Sequence, residues 1–307
     1  MKHYTYLALM LLAASCAFAQ TGMIDYKWEA TMKVVGEDGN PIGEANADIG
    51  YHTNSQPANA LGVTDTNGIF SASHSVRSTL AEVSLQAEKS GYYTTWVERQ
   101  LGPQYDPTQW IFTQTLVLKK IKKPIAMYAK WVNSNPPILS QPIGYDLMIG
   151  DWVAPNGKGI NTDIIFTKIA YRKSGADYEY KVTVNFKNTG DGIQAYTIPA
   201  SEQGSGLQSP YEAPIDGYQS QLIKDRSAHP GQPTKSNYDE NAKYFFRVRT
   251  VLDENGSVKS ALYGKIYGDF MQFRYYLNPT PNSRNVEFNP KQNLLGGLQP
   301  IEQVSQP

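Results

Sequence analysis

Residues 244–270 read YFFRVRTVLDENGSVKSALYGKIYGDF, two β-rich runs that meet around the turn residues 253–256. The loop length decides the register, because a shift of one residue would move every side chain to the opposite face. A three-residue loop, with Gly256 in the left-handed conformation of a bulge, separates the apolar positions from the polar ones. We therefore predict an antiparallel hairpin whose buried face holds Phe246, Val248, Val258, Leu262, Ile266 and Phe270.

The opposite face of this predicted hairpin carries cations and tyrosines. Sugar rings stack on exposed tyrosine rings, while arginine and lysine favour an anionic glycan or another acidic partner. The alternative is that a long loop or the C-terminal tail covers this face, so that its tyrosines form a second core layer. The candidate ligand-binding residues of this face are Arg247, Arg249, Tyr263, Lys265 and Tyr267.

Alternating apolar and polar residues recur along most of the chain. Residues 164–171 and 178–186 flank the polar turn 172–177 and predict a second hairpin. Residues 27–119 read as short strands separated by turn clusters. The sequence therefore predicts an all-β fold, with an immunoglobulin-like sandwich followed by a larger antiparallel β domain. We expect the five tryptophans to lie in the core or between domains, namely Trp28, Trp96, Trp110, Trp131 and Trp152.

Composition and motifs exclude several classes of function. The 307 residues carry 28 Lys and Arg against 28 Asp and Glu, which leaves no basic footprint for nucleic acid. One cysteine and four histidines allow neither an intrachain disulfide nor a Cys/His zinc cluster. Nucleophile elbows, phosphate loops and dinucleotide fingerprints are missing from the sequence. We therefore expect no cofactor and no metal.

The N-terminal third contains a set of family-like motifs. They are VVGEDGNPI at residues 34–42, GVTDTNGIF at 62–70, KSGY at 89–92 and LVL at 116–118. Residues 27–119 thereby resemble the carboxypeptidase regulatory-like (transthyretin-like) domains. The resemblance implies a seven-stranded sandwich that serves as an accessory, spacer or adhesion module without catalytic residues of its own. Asp65 and Asn67 then form a turn, with calcium ligation as the alternative.

Residues 1–19 have the parts of a secretory signal. Lys2 supplies the positive start, an apolar run follows, and a small-residue motif places cleavage between Ala19 and Gln20. The run is too short to span a bilayer, and no later segment has the ~20 apolar residues that a spanning helix needs. We expect an exported protein, either periplasmic or at the cell surface or secreted. Residues 13–16 resemble a lipobox, so a lipid anchor on Cys16 is the alternative.

Three further segments organise the predicted domains 24–119 and 124–307. Residues 119–124 read as a solvated basic linker that ends at a proline. Residues 199–241 read as one long connection rich in Pro and Gly, and the tail from Asn278 reads as extended. Within the connection, Tyr211 and Tyr218 are further candidates for ligand binding.

The sequence favours a non-catalytic exported binding module for a polysaccharide or a cell-envelope partner. The first alternative is a structural component of the envelope that binds only protein. The second is a carbohydrate-active hydrolase that uses Glu212 and Asp216, since glycoside hydrolysis needs two carboxyl groups on either side of the scissile bond.

Overall fold

A computed structural model describes residues 25–53, 58–77, 81–101, 111–239, 241–270 and 272–307. The fold is all-β, as predicted; its short 3-10 helices include Ala200–Glu202 and Pro300–Glu302. Within these ranges, no helix is long and apolar enough to cross a membrane. The predictions for Cys16, Ala19, Gln20 and Trp110 lie outside the described residues.

The described part of residues 25–118 forms a two-sheet sandwich, called here the N-terminal sandwich. Its strands are β1 (Asp25–Gly36), β2 (Asn46–Thr53), β3 (Ala58–Val63), β4 (Ile69–Arg77), β5 (Ala81–Glu88), β6 (Thr95–Leu101) and β7 (Ile111–Leu118). One sheet has the order β4-β1-β7 and the other β3-β2-β5-β6, with β7 parallel to β1. Between them, Trp28 stacks on Tyr51 with 4.1 Å between ring centroids.

The turn before β4 has the structure that its residues predict. The Asp65 carboxylate accepts hydrogen bonds from the backbone N–H groups of Asn67 and Ile69. Gly68 follows with φ +74°, and a Cβ there would lie 2.3 Å from the Val34 carbonyl oxygen. Asp65 is therefore a turn former, as expected, and only glycine fits at position 68.

Residues 125–293 form a larger sandwich, called here the C-terminal sandwich. Its first strands are β8 (Ile125–Val132), β9 (Ile143–Asp146), β10 (Asp151–Trp152), β11 (Ile164–Ser174), β12 (Asp177–Asn185) and β13 (Gly192–Tyr196). The remaining strands are β14 (Gln221–Ala228), β15 (Lys235–Ser236), β16 (Lys243–Leu252), β17 (Val258–Gly268), β18 (Phe273–Leu277) and β19 (Phe288–Asn293). The two sheets have the orders β10-β9-β11-β12-β14-β15 and β13-β16-β17-β18-β8-β19.

The register of the β16–β17 hairpin is the predicted one. Asp253 N donates to the Ser257 carbonyl, and Gly256 has φ +78°, so residues 254–256 form the loop. Val248 pairs with Leu262, and the predicted apolar face lies in the main core between the two sheets. Val258 differs, being 36% exposed, because an irregularity between Val248 and Val251 carries the hairpin tip beyond the core.

The segment 199–241 is not one irregular connection. Its strand β14 pairs along eight residues with β12, and β15 pairs with β14. The sequence does not predict β14 as a strand, because polar residues such as Lys224 and Asp225 interrupt its apolar pattern. The strand lies close to the sheet edge, where such residues are tolerated. The tail also contains a strand, because β19 lies parallel to β8.

Gly264 gives a test of the hairpin packing. A Cβ at this position would lie 2.2 Å from the Phe246 ring and 2.3 Å from the Tyr276 carbonyl oxygen. We expect Gly264→Ala to lower the free energy of unfolding by about 2 kcal/mol or more, since neither neighbour can move freely. Urea denaturation measures the change. The control is Gly175→Ala, whose Cβ meets no atom within 4 Å; equal stabilities of the two variants would contradict this packing.

Candidate functional site

The predicted outer face of the β16–β17 hairpin is covered. Tyr263 is 5% exposed, Tyr267 is 7% exposed and Lys265 is fully buried. Tyr263 packs in a small cluster with Ala213 from the segment 199–241. The prediction of an exposed ligand-binding face is therefore wrong for these three residues. The alternative holds, because the segment and the tail form a second core layer over this sheet.

The burial of Lys265 has a local explanation. Its ammonium donates to the Ser209 hydroxyl at 3.1 Å and lies about 5 Å from the ring centroids of Tyr267 and Tyr276. Burial lowers the pKa of Lys265 well below its usual range. The Ser209 carbonyl also accepts a hydrogen bond from Lys119. Lys265 is thus a structural residue that anchors the covering segment.

The basic segment 119–124 is exposed at residues 120–123, as predicted for a solvated linker, but its first residue is buried. Lys119 is 3% exposed and forms a 2.5 Å ion pair with Glu202. The backbone N–H groups of Lys122 and Lys123 donate to the Glu287 carboxylate. These contacts hold the linker against the C-terminal sandwich.

Arg249 does not share a face with Arg247. It has φ +54° at the irregularity of the hairpin, which turns its side chain to two buried carboxylates. Its Nε donates to Asp163 Oδ1 at 2.7 Å, and its Nη2 lies 3.2 Å from Asp146 Oδ1. These hydrogen bonds, above all those to Asp163, raise the pKa of Arg249. Arg249 links the two sheets and is not available as predicted for a ligand.

The remaining predicted ligand-binding residues also hold the segment 199–241 in place. Arg247 donates to the Gly190 carbonyl at 2.7 Å and lies 4.8 Å from the centroid of the Tyr218 ring. The Tyr218 hydroxyl donates to Pro214, and the Tyr211 hydroxyl lies 2.7 Å from Glu37 Oε2. Tyr211 therefore contacts the N-terminal sandwich.

Both residues of the predicted carboxylate pair, Glu212 and Asp216, are exposed. Glu212 Oε2 accepts a hydrogen bond from Arg284 at 2.8 Å. Asp216 uses its backbone carbonyl to accept a bond from Gln194. Neither residue lines the cleft described next. The geometry gives no support to the hydrolase alternative.

A cleft of about 650 Å3 opens beside the end of the β17–β18 hairpin, and we call it the Trp131 cleft. Trp131 and Tyr180 line it as half-buried rings, one from each sheet. Tyr238 joins them, and its buried hydroxyl has no hydrogen-bond partner among the described residues. Amide side chains complete the lining, namely Asn133, Asn135, Gln208 and Gln272.

Four lining residues form one straight row across the sheet, called here the cleft row. It crosses β16, β17, β18 and β8 through the directly paired residues Lys243, Tyr267, Arg274 and Trp131. Directly paired residues share a face, so the row alternates cation and ring. The Arg274 guanidinium lies 4.8 Å from the Trp131 ring centroid, and Lys243 lies 5.2 Å from that of Tyr267. Tyr267 is the predicted ligand residue that does line the cleft.

The charge of the Trp131 cleft is positive. Arg226 adds a third cation from the other sheet, where it pairs directly with Tyr180. Asp269 is the one carboxylate that lines the cleft within the described residues, and it is 3% exposed. Its oxygens already accept a hydrogen bond from the Asp239 N–H and contact Lys224 at 3.5 Å. Burial raises the pKa of Asp269.

Sequence reasoning missed the cleft because its residues come from separate segments. The prediction places Trp131 in the core or between domains, and the row forms because β8 pairs with β18. Trp96 is 45% exposed on β6, and its backbone N–H donates to the Gly204 carbonyl at 2.9 Å, which agrees with a place between the two sandwiches. Within the described residues, no group of three His, Cys, Asp or Glu side chains could hold a metal ion.

Comparison with known structures gives distant similarities, two of which follow. No protein-family model and no curated protein matches the chain, so the resemblance of residues 27–119 gains no support there. A Streptococcal ancillary pilin aligns at 10% identity and TM-score 0.23, over 87% of this chain and 62% of the pilin chain. A DUF3823 family protein from Parabacteroides merdae aligns at 9% identity and TM-score 0.22, over 86% and 99%. Likenesses this weak do not bear on function.

Arg249 provides a test of the inter-sheet ion pairs. Arg249→Ala leaves Asp146 and Asp163, each with a side chain 1% exposed, without their cation. We expect a loss of about 3 kcal/mol in the free energy of unfolding, because each carboxylate would be buried unpaired. Chemical denaturation measures it beside Arg172→Ala, an exposed arginine that should change stability by less than about 0.5 kcal/mol. Similar losses in both variants would show that the network contributes little.

Tyr263 tests whether the outer face is core. We expect Tyr263→Ala to lower the free energy of unfolding by about 3 kcal/mol, since the ring packs against Phe245, Ala213 and Val286. Tyr171→Ala serves as the control because its ring is 47% exposed. A Tyr263→Ala protein as stable as the wild type would mean that the covering segment leaves this face in solution.

Proposed function

We propose that the protein is an exported, non-catalytic module that binds a polysaccharide in the Trp131 cleft. In this proposal, residues 124–307 are the binding domain and residues 24–119 are an accessory domain. The observation that carries it is a cleft of about 650 Å3 with half-buried rings from both sheets. Concave sites with rings and a few polar groups are the usual form of small-ligand sites.

The lining chemistry fits a sugar. Trp131 and Tyr180 offer apolar ring faces for the C–H groups of a pyranose. Asn133, Asn135 and Gln272 carry amides, which donate and accept at once and so match sugar hydroxyls. A purely apolar ligand would leave the amides of Asn133 and Gln272 without partners, which costs free energy, whereas the Asn135 oxygen already accepts a hydrogen bond from Lys168.

Export supports a ligand outside the cytoplasm. The signal-like residues 1–19 support a location in the periplasm, at the cell surface or in the medium, and attachment through Cys16 would hold the protein at a membrane.

A second candidate function is an assembly component that binds only protein. Strand β4 favours it, because within the described residues its nine residues pair only with β1. An unpaired strand edge of this length is a template for a strand of another protein.

A glycan array with the wild type and two cleft variants tests the proposal. We expect Trp131→Ala and Tyr180→Ala each to weaken binding to the recognised glycan at least tenfold, about 1.4 kcal/mol. Trp96→Ala is the matched control, since this tryptophan is exposed on the N-terminal sandwich. Urea denaturation of each variant separates lost binding from lost folding.

Two outcomes would contradict the proposal. Folded wild-type protein that binds no glycan on the array would move the search to protein partners of β4. Binding that survives both cleft substitutions but is lost in Trp96→Ala would place the sugar on the N-terminal sandwich.

A further inference from the structure

Lys243 is a buried cation, and its carboxylate neighbour Asp239 is not within ion-pair distance of it. Lys243 is 8% exposed at the start of β16 and lines the Trp131 cleft. Among the described residues its ammonium makes no hydrogen bond and no ion pair, and its close contact is the Tyr267 ring at 5.2 Å. Burial lowers the pKa of Lys243, which the charge of Asp239 partly offsets and that of Arg274 reinforces. A buried charge of this kind is costly unless something pairs with it.

The strand spacing of the sheet sets the separation between the two cations of the cleft row. Lys243 on β16 and Arg274 on β18 stand two strands apart, with Tyr267 of β17 between them. At ~4.8 Å per strand, their backbone positions are about 10 Å apart. One sugar residue in an extended polysaccharide has about the length of one strand spacing, so this separation corresponds to two sugars.

The acid in the cleft does not neutralise these cations. Asp269 is engaged by Lys224, by the Asp239 N–H and by the Tyr244 hydroxyl at 3.4 Å. Arg274 rests against Trp131, a geometry in which its guanidinium can still bind a carboxylate with two parallel N–H donors. The cleft row therefore presents two cations that a ligand can pair with, and Arg226 adds a third from the other sheet.

We propose that the ligand is an acidic polysaccharide in which every second sugar carries a carboxylate, one bound by Lys243 and the next by Arg274. This inference rests on the proposed function and adds the charge and the repeat of the ligand. The ligand enters through the opening of the Trp131 cleft, and its acidic sugars reach Lys243 and Arg274. The intervening sugars contact the rings and amides of the cleft.

Calorimetric titration of the purified protein with three oligosaccharides of equal length tests the ligand class. The probes are hyaluronan, with a carboxylate on alternate sugars, its carboxyl-reduced neutral form, and oligogalacturonate, with a carboxylate on every sugar. We expect hyaluronan to bind at least tenfold more tightly than either of the others, and its affinity to fall as salt rises. Equal affinity for the native and reduced forms overturns the charge proposal and leaves the polysaccharide cleft standing. Tighter binding of oligogalacturonate overturns the alternating repeat. Binding of none overturns the acidic-ligand inference, whereas the glycan array tests the proposed function separately.

Variants of Lys243 test the residue assignment. Lys243→Met keeps the shape and removes the charge, so we expect at least a tenfold loss for hyaluronan and no change for its reduced form. Stability should be unchanged or higher, because an unpaired buried charge is removed. Lys243→Arg keeps the positive charge, so it should retain part of the hyaluronan affinity that Lys243→Met loses. Lys259→Met, at an exposed lysine of β17, should have no effect. Full hyaluronan affinity in folded Lys243→Met would overturn the assignment.

Discussion

The three-residue loop that closes the β16–β17 hairpin is the constraint on which the C-terminal sandwich depends. Gly256 in the left-handed conformation fixes the register, and the register decides which face each side chain takes. One face supplies Phe246 and Ile266 to the main core. The other supplies Lys265 and Tyr267 to the layer beneath the segment 199–241 and the tail. A shift of this register by one residue would bury the cations in the main core, and the residues of the cleft row would no longer be paired.

Local turn chemistry and alternation made part of this fold predictable. The hairpin register follows from residues that are adjacent in sequence, as does the Asp65 turn. The cover over the outer face does not, because a cation at an outward position looks the same whether water or another segment lies over it. Lys265 is buried because Ser209, 56 positions away, brings a hydroxyl to its ammonium. Long-range contacts of this kind leave no periodic signal in the sequence.

The candidate site depends on long-range pairing even more strongly. Arg249 leaves the predicted face because a local irregularity turns it to Asp146 and Asp163, which are 103 and 86 positions away. In the cleft row, Trp131 and Arg274 meet only because β8 pairs with β18. The sequence suggested that tyrosines and cations would act together on one sheet, and Tyr267 belongs to both the predicted and the observed sets. The other cations and rings of the cleft are brought beside Tyr267 by the pairing of strands that are distant in sequence, and this pairing could not be predicted from the sequence.

Lys243 shows how stability and binding can oppose each other within this sheet. Burial favours the neutral form of a lysine, and methionine would fill the same space without a charge. Lys265, by contrast, is satisfied by Ser209 and has a role in the folded chain alone. These two buried lysines on neighbouring strands differ in position, since Lys265 is fully enclosed while Lys243 lines the cleft, and in whether the protein itself supplies a hydrogen-bond partner. Where it does not, the missing partner is best sought outside the chain, and at Lys243 the opening of the cleft shows from which side it would come.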